Sequence, residues 1–156
     1  MDKQLIGLSG EYHVLAQLAH RGLVGALTLG HTKGVDILVT NPQSGTVRKV
    51  EVKATQGKPA RAKVFGEGRF YKWPMSAKHE SVAQDDVVYC FVALSEPDVR
   101  PRFFLVPSRD VAQYVKWEHK HWLASRPKRI KDNPHRTFRI EENDPHGYED
   151  NWAAFD

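Results

Sequence analysis

One cysteine, Cys90, is all the sequence has, so no intrachain disulfide can staple the fold, and a reducing cytoplasm suits the chain. Long apolar runs are scarce as well. The longest, Val87 to Leu94, has eight residues, where a membrane-spanning helix needs about 20, so no membrane is expected among the partners. The N-terminal stretch carries Asp2, Lys3, Glu11 and Arg21 instead of the basic, apolar, small-residue order of a secretory leader, and export is not expected. Lys and Arg are absent from residues 141–156, which hold six acids. The formal charge of +4 therefore conceals 23 basic against 13 acidic residues, or +10, on residues 1–140. Such a body is suited to a polyanion. The 156 residues are 40% apolar and 27% charged, the balance of a soluble globular chain. One domain spanning 1–156 is expected, with the acidic tail docking on the body through Trp152 and Phe155.

The basic residues gather in two stretches. Lys53 to Lys78 holds seven against Glu67, and Lys116 to Arg139 holds eight against Glu118 and Asp132. Either could be a solvated face. In the first, Phe65, Phe70, Tyr71 and Trp73 are interleaved with Lys63, Arg69 and Lys72, a mixture that suits phosphate attraction with base stacking, although the rings could equally be core. A pair of histidines at His119 and His121 does not suggest zinc, because residues two apart do not share a helix face.

Periodicity predicts the elements. Leu5, Leu8, Tyr12, Leu15, Ala16 and Ala19 recur at helical spacing, which predicts a helix over 4–21 with this stripe on the core and Gly22 as its stop. A short apolar segment, 23–29, and a polar loop, 30–34, lead to a strand at 35–40. The turn formers Asn41-Pro42-Gln43-Ser44-Gly45 and the alternation of 47–55 predict a hairpin. Residues 56–74 read as a long loop or irregular hairpin, and 75–83 as a short helix. Strands follow at 87–94 and 102–106, then a helix over 109–124 capped by Ser108. A basic linker covers 126–134, and a last strand 137–140. The order describes a mixed sheet flanked by helices.

The chemistry-bearing residues are Glu11, Asp36, Glu51 and Lys53. Glu51 and Lys53 are two apart and project from one face of their strand, opposite Val50 and Val52. A four-residue loop, 42–45, pairs Asn41 with Thr46, and the same register sets Asp36 across from Glu51. Like charges at that separation repel unless a cation lies between them. Both acids also stand in hydrophobic strands, where unpaired charge is costly. Hard oxygen ligands without thiols suit Mg²⁺ or Mn²⁺. With Lys53 beside them to stabilise developing charge, the reaction class is phosphodiester hydrolysis.

Glu11 in Ser-Gly-Glu, then Gly-Val-Asp36, fourteen intervening residues, and Glu51-Val-Lys53 together resemble the PD-(D/E)XK nuclease superfamily, the restriction-endonuclease-like fold that includes archaeal Holliday-junction resolvases. Val35 stands where the motif names Pro. The resemblance implies an α/β fold with a mixed central β-sheet flanked by helices, and a Mg²⁺-dependent (or Mn²⁺-dependent) DNA endonuclease. It implies Asp36, Glu51 and the Val52 carbonyl as metal ligands, Lys53 as the catalytic lysine and Glu11 as the assisting helix acid. His31 and Lys33 are expected at the mouth of the site. Lys58, Arg61, Lys63, Arg69 and Lys72 are expected as a second, DNA-contacting wall. A homodimer is expected, because a chain this short has no room for a separate recognition domain. The alternative is a non-catalytic nucleic-acid-binding module of the same fold, a subunit of a repair or defence complex; RNA is the less favoured polyanion.

Overall fold

The structure, a computed structural model, describes residues 2–29, 34–126 and 131–156. His31, Lys33 and part of the basic linker, 127–130, lie outside the described residues. Helix α1 (Lys3–His20) opens on Asp2, whose side chain accepts the Gln4 N–H at 2.7 Å. It closes where Leu23 N–H bonds Leu18 O and Gly22 N–H bonds Ala19 O, with Gly22 at φ +75, the paired C-terminal bonds that a left-handed glycine permits.

The predicted stripe of α1 is corrected. Its buried residues are Gly10, Val14 and Leu18, while Leu5, Leu8 and Tyr12 are 54, 44 and 56% exposed. The helix has turned a face with less apolar bulk to the sheet because Gly10 lets it come close: a Cβ there would lie 2.6 Å from the Ala54 Cβ. Backbone proximity, rather than side-chain hydrophobicity, selects the face. Gly10→Ala is expected to destabilise by about 1 kcal/mol net, the overpacking penalty exceeding the gain in helix propensity. Ala54→Gly in the same chain should relieve the clash. Gly7→Ala, with nothing within 4 Å, should instead stabilise. Urea unfolding of the variants distinguishes these outcomes, and a stabilised Gly10→Ala would contradict the close approach.

Strands β1 (Val24–Leu27), β2 (Ile37–Thr40), β3 (Val47–Gln56), β6 (Val87–Leu94) and β7 (Arg102–Pro107) form one sheet in the order β1-β2-β3-β6-β7. Only β3 and β6 pair in parallel. A parallel pair needs a crossover, and here the crossover builds a second sheet. Strands β4 (Ala60–Arg61) and β5 (Arg69–Ser76) form a hairpin, and β5 pairs with β8 (His135–Glu141). Of the two expectations for 56–74, a long loop or an irregular hairpin, the structure has the hairpin, with β5 running on to Ser76. The expected helix at 75–83 is only a 3₁₀ turn, Ala77–Ser81, after the end of β5.

Each face of the main sheet has its own core. On one, Val50, Val52, Cys90 and Leu105 meet Val14 and Leu18 of α1, together with Trp152 and Phe155 of the tail. On the other, Tyr89, Phe91 and Phe104 meet Trp73 and Phe138 of the second sheet and Val111 and Val115 of α2 (Ser108–Ala124). Ser108 does not cap α2. Its hydroxyl donates to Gln84 O at 2.6 Å and accepts the Gln84 N–H at 2.9 Å, tying the helix start to the loop before β6. Two of the tail's acids are engaged: Glu149 pairs with Arg102 at 2.6 Å and Asp150 with Arg100 at 2.9 Å. No helix among the described residues is long and apolar enough to cross a membrane.

Candidate functional site

The β2–β3 hairpin sets the site. Asn41 N–H bonds Thr46 O and Gly45 N–H bonds Asn41 O, while Asn41 Oδ1 accepts the Gln43 N–H, an Asx turn that starts the loop. The register runs from Thr40↔Val47 to Ile37↔Val50, the pairing expected from the sequence. At Asp36 the chain departs from it. Asp36 N–H donates to Val50 O at 2.8 Å, although Ile37 is Val50's partner, so two residues oppose one as in a bulge. This turns the Asp36 side chain along β3, where Oδ2 accepts the Val52 N–H at 2.7 Å. Asp36 therefore brackets Glu51, bonding the backbone on either side of it.

Glu51 projects from the β3 face opposite α1 and is buried. Its Oε1 is held by Lys53 Nζ at 2.6 Å and by His79 Nε2 at 3.3 Å. His79 Nδ1 accepts the Ser76 N–H at 3.0 Å, which leaves the ring proton on Nε2 to donate to Glu51. Burial alone would raise the Glu51 pKa. The hydrogen bonds from His79 and Lys53, with the Lys53 charge, outweigh it and hold the carboxyl at about 2. The second oxygen, Oε2, faces Gly34, which is at φ +75; a Cβ there would stand 3.6 Å from it.

Asp36 and Glu11 are the opposite case. Burial raises the Asp36 pKa, and the Glu51 charge adds to it against the Val52 N–H and the Lys53 and Lys78 charges. Glu11 is raised by burial and then by Asp36, with Lys53 opposing. Glu11 thus feels the sheet carboxylates from α1. Tyr89, paired with Glu51 in the β3–β6 ladder, has a buried hydroxyl with no hydrogen-bond partner in good geometry; burial, with the Glu51 charge, pushes its pKa up.

These donors fit a hard divalent cation in kind. The set is all oxygen, and its carboxylates repel one another. Among the described residues no three acidic, histidine or cysteine side chains converge as a preformed cage. Mg²⁺ needs none, since it takes one or two protein carboxylates and completes its shell with water and substrate oxygens.

The structure does not gather all the residues singled out in the sequence. Glu11, Asp36, Glu51, Val52 and Lys53 come together. Lys58, Arg61, Lys63, Arg69 and Lys72 are exposed but lie toward the other end of β5 from His79; Arg69 is separated from Ser76 by roughly 20 Å of extended strand. Arg69 is also tied down, donating to Pro59 O at 2.8 Å and lying 3.7 Å from Glu142. Nor are Trp73 and Phe70 free to stack on bases, since both are buried. Besides Lys53, the cation that acts on Asp36 is Lys78. The sequence reads Ser76 and His79 as parts of a helix cap, as the structure has them, but carries no sign of the contacts of His79 with Glu51 and of Lys78 with Asp36. His79→Ala is expected to destabilise by about 1–3 kcal/mol, the cost of leaving a buried polar group short of a partner. His79→Gln should recover part of it in thermal unfolding, and an unchanged midpoint for His79→Ala would contradict the role.

No protein-family model and no curated protein sequence matches the chain. Among solved structures, the chain is similar to a bacterial homing endonuclease, with a TM-score of 0.55 and 13% identity over 96% of this chain and 90% of that one. It is also similar to a Holliday junction resolvase from the archaeal hyperthermophile Archaeoglobus fulgidus, with a TM-score of 0.49 and 15% identity over 95% of this chain and 94% of that one. Identities this low speak to architecture, and the first match carries the point. A five-stranded mixed sheet, a second sheet and two helices thus give this chain the restriction-endonuclease-like α/β fold.

Proposed function

We propose that the chain is a Mg²⁺- or Mn²⁺-dependent DNA endonuclease that hydrolyses phosphodiester bonds at Glu11, Asp36, Glu51 and Lys53. The observation that carries this reading is the bulge at Asp36, which sets its carboxylate beside Glu51 and Lys53 in hydrophobic strands. Asp36, Glu51 and the Val52 carbonyl, with Glu11 assisting, would hold the ion. The bound cation supplies charge neutralisation at the scissile phosphate. His79 and Lys53 keep Glu51 ionised without help from the ion. Asp36 and Glu11, pushed up by burial and mutual repulsion, are the groups whose ionised form a cation favours. Lys53 places a positive charge where negative charge develops on the phosphate.

DNA, duplex or branched, is the polyanion this body suits, with His31, Lys33 and the exposed Lys58, Arg61, Lys63, Arg69 and Lys72 as backbone contacts. A homodimer in the cytoplasm completes the proposal. The apolar outer face of α1 is the surface a second copy would cover, and a monomer in light scattering at micromolar concentration would remove that part. The occupancy of Glu51 Oε1 by two internal partners favours the second reading, a non-catalytic nucleic-acid-binding module of this fold. Paramagnetic-resonance titration with Mn²⁺ tests the metal reading: the wild type in complex with a short duplex should deplete the free-ion signal, and Asp36→Asn should depress that binding at least tenfold. Equal binding by both proteins would place the ion elsewhere.

A further inference from the structure

Between the β4–β5 hairpin, α2, the end of β8 and the tail lies a cavity of about 470 Å³, a size that suits a small planar ligand. It shares no lining residue with the carboxylate site. Its walls are aromatic. Phe65 meets Trp117 edge-on at 6.3 Å, and Tyr114 lies 5.6 Å from Trp117. Trp117 is 49% exposed although His121 stacks on it at 5.1 Å, so a guest would share the indole with that ring. The hairpin is fastened over it by His121, whose Nε2 donates to Val64 O at 2.7 Å.

Three further features define the occupant. Glu141 lines the cavity, and its carboxylate makes no hydrogen bond or ion pair among the described residues; ionised, it can only accept. Gly66 and Gly68 clear the space beside it, since a Cβ at Gly68 would stand 3.3 Å from Glu141 Oε1. Next in sequence to Val64 and His121, which fasten the hairpin, and to Trp117 are Lys63, Lys120 and Lys116, all exposed and without an ion pair among the described residues. Arg139 also lines the cavity; its guanidinium lies 4.1 Å from the Phe65 ring and is engaged by Glu118, so Glu141 is the charged group left to a guest. A planar, phosphate-linked ring with adjacent N–H donors satisfies the aromatic walls, the acceptor Glu141 and the exposed lysines together. Among the bases, guanine presents two such donors side by side, N1–H and the N2 amine.

We infer that this cavity takes one unpaired guanine of a DNA strand, stacked on Trp117, with N1–H and the N2 amine donating to Glu141 and the flanking phosphates near Lys63, Lys116 and Lys120. The site is independent of cleavage and of the metal-centre proposal, so it is tested in EDTA. The probe is a fluorescently labelled strand of abasic deoxyribose phosphates carrying one central guanine, compared by anisotropy with the same strand carrying adenine or no base. The guanine strand should bind about tenfold more tightly than the abasic one, since stacking is worth about 1–3 kcal/mol per base. Trp117→Ala should abolish that difference. Glu141→Gln, a near-isosteric change that keeps the stacking surface, should erase the preference for guanine over adenine. A guanine strand no tighter than the abasic strand, or a difference that survives in Trp117→Ala, overturns the site. Free guanosine monophosphate competing as well as the strand overturns the strand as the source. Either failure leaves the metal-centre proposal untouched.

Discussion

Lys53→Met is expected to slow metal-dependent strand cleavage by about 10²–10³-fold, the usual consequence of removing one group that stabilises charge developing in the transition state. Methionine keeps much of the aliphatic stem and leaves β3 paired to β2 and β6, so the fold should persist. The change also frees Glu51 Oε1 of its contact at 2.6 Å while the His79 contact at 3.3 Å remains. Mn²⁺ affinity should therefore be retained while the chemical step is lost. Single-turnover cleavage with the metal saturating separates these two effects. A rate within a factor of three of wild type would mean that Lys53 serves only to neutralise a buried acid.

Trp73→Ala is expected to cost about 3–5 kcal/mol of stability, or roughly 10 °C in melting temperature for a chain of this size. Trp73 is fully buried. Its ring centroid lies 5.1 Å from that of Phe91 and 5.9 Å from that of Phe104, and its Nε1–H donates to Val92 O at 3.1 Å. It is where the second sheet is seated on the first. Trp73→Phe, which fills most of the volume but loses the hydrogen bond, should cost less than half as much. Denaturant unfolding of both variants reads this directly. A loss below about 1 kcal/mol for Trp73→Ala would contradict the seating of β5.

The residues that set the hairpin could be read without coordinates because its turn chemistry and its alternating strands agree, and a one-residue slip would move Val50 and Val52 off the core. Asp36 and Glu51 stood out because acids in hydrophobic strands need a reason. Other features had no such redundancy. Strand β5 was hidden by Pro74 and by the basic residues around it. Proline is tolerated there because β4 pairs only with Arg69 and Phe70, so β5 is an open edge beyond them. The face of α1 was misjudged because hydrophobic periodicity has no term for a glycine that admits a neighbouring strand. The contact of His79 with Glu51 is not legible because the two are 28 residues apart and only the crossover through the second sheet brings them together.

The most direct test of the metal centre is cleavage of supercoiled plasmid, branched DNA and single-stranded DNA in Mg²⁺, Mn²⁺ or EDTA, comparing wild type with Asp36→Ala. The account predicts nicking by the wild type in either metal, none in EDTA, and none by Asp36→Ala on any substrate. DNA binding without cutting in Mg²⁺ and Mn²⁺, unchanged by Asp36→Ala, would contradict it and leave these carboxylates as scaffold of a binding module.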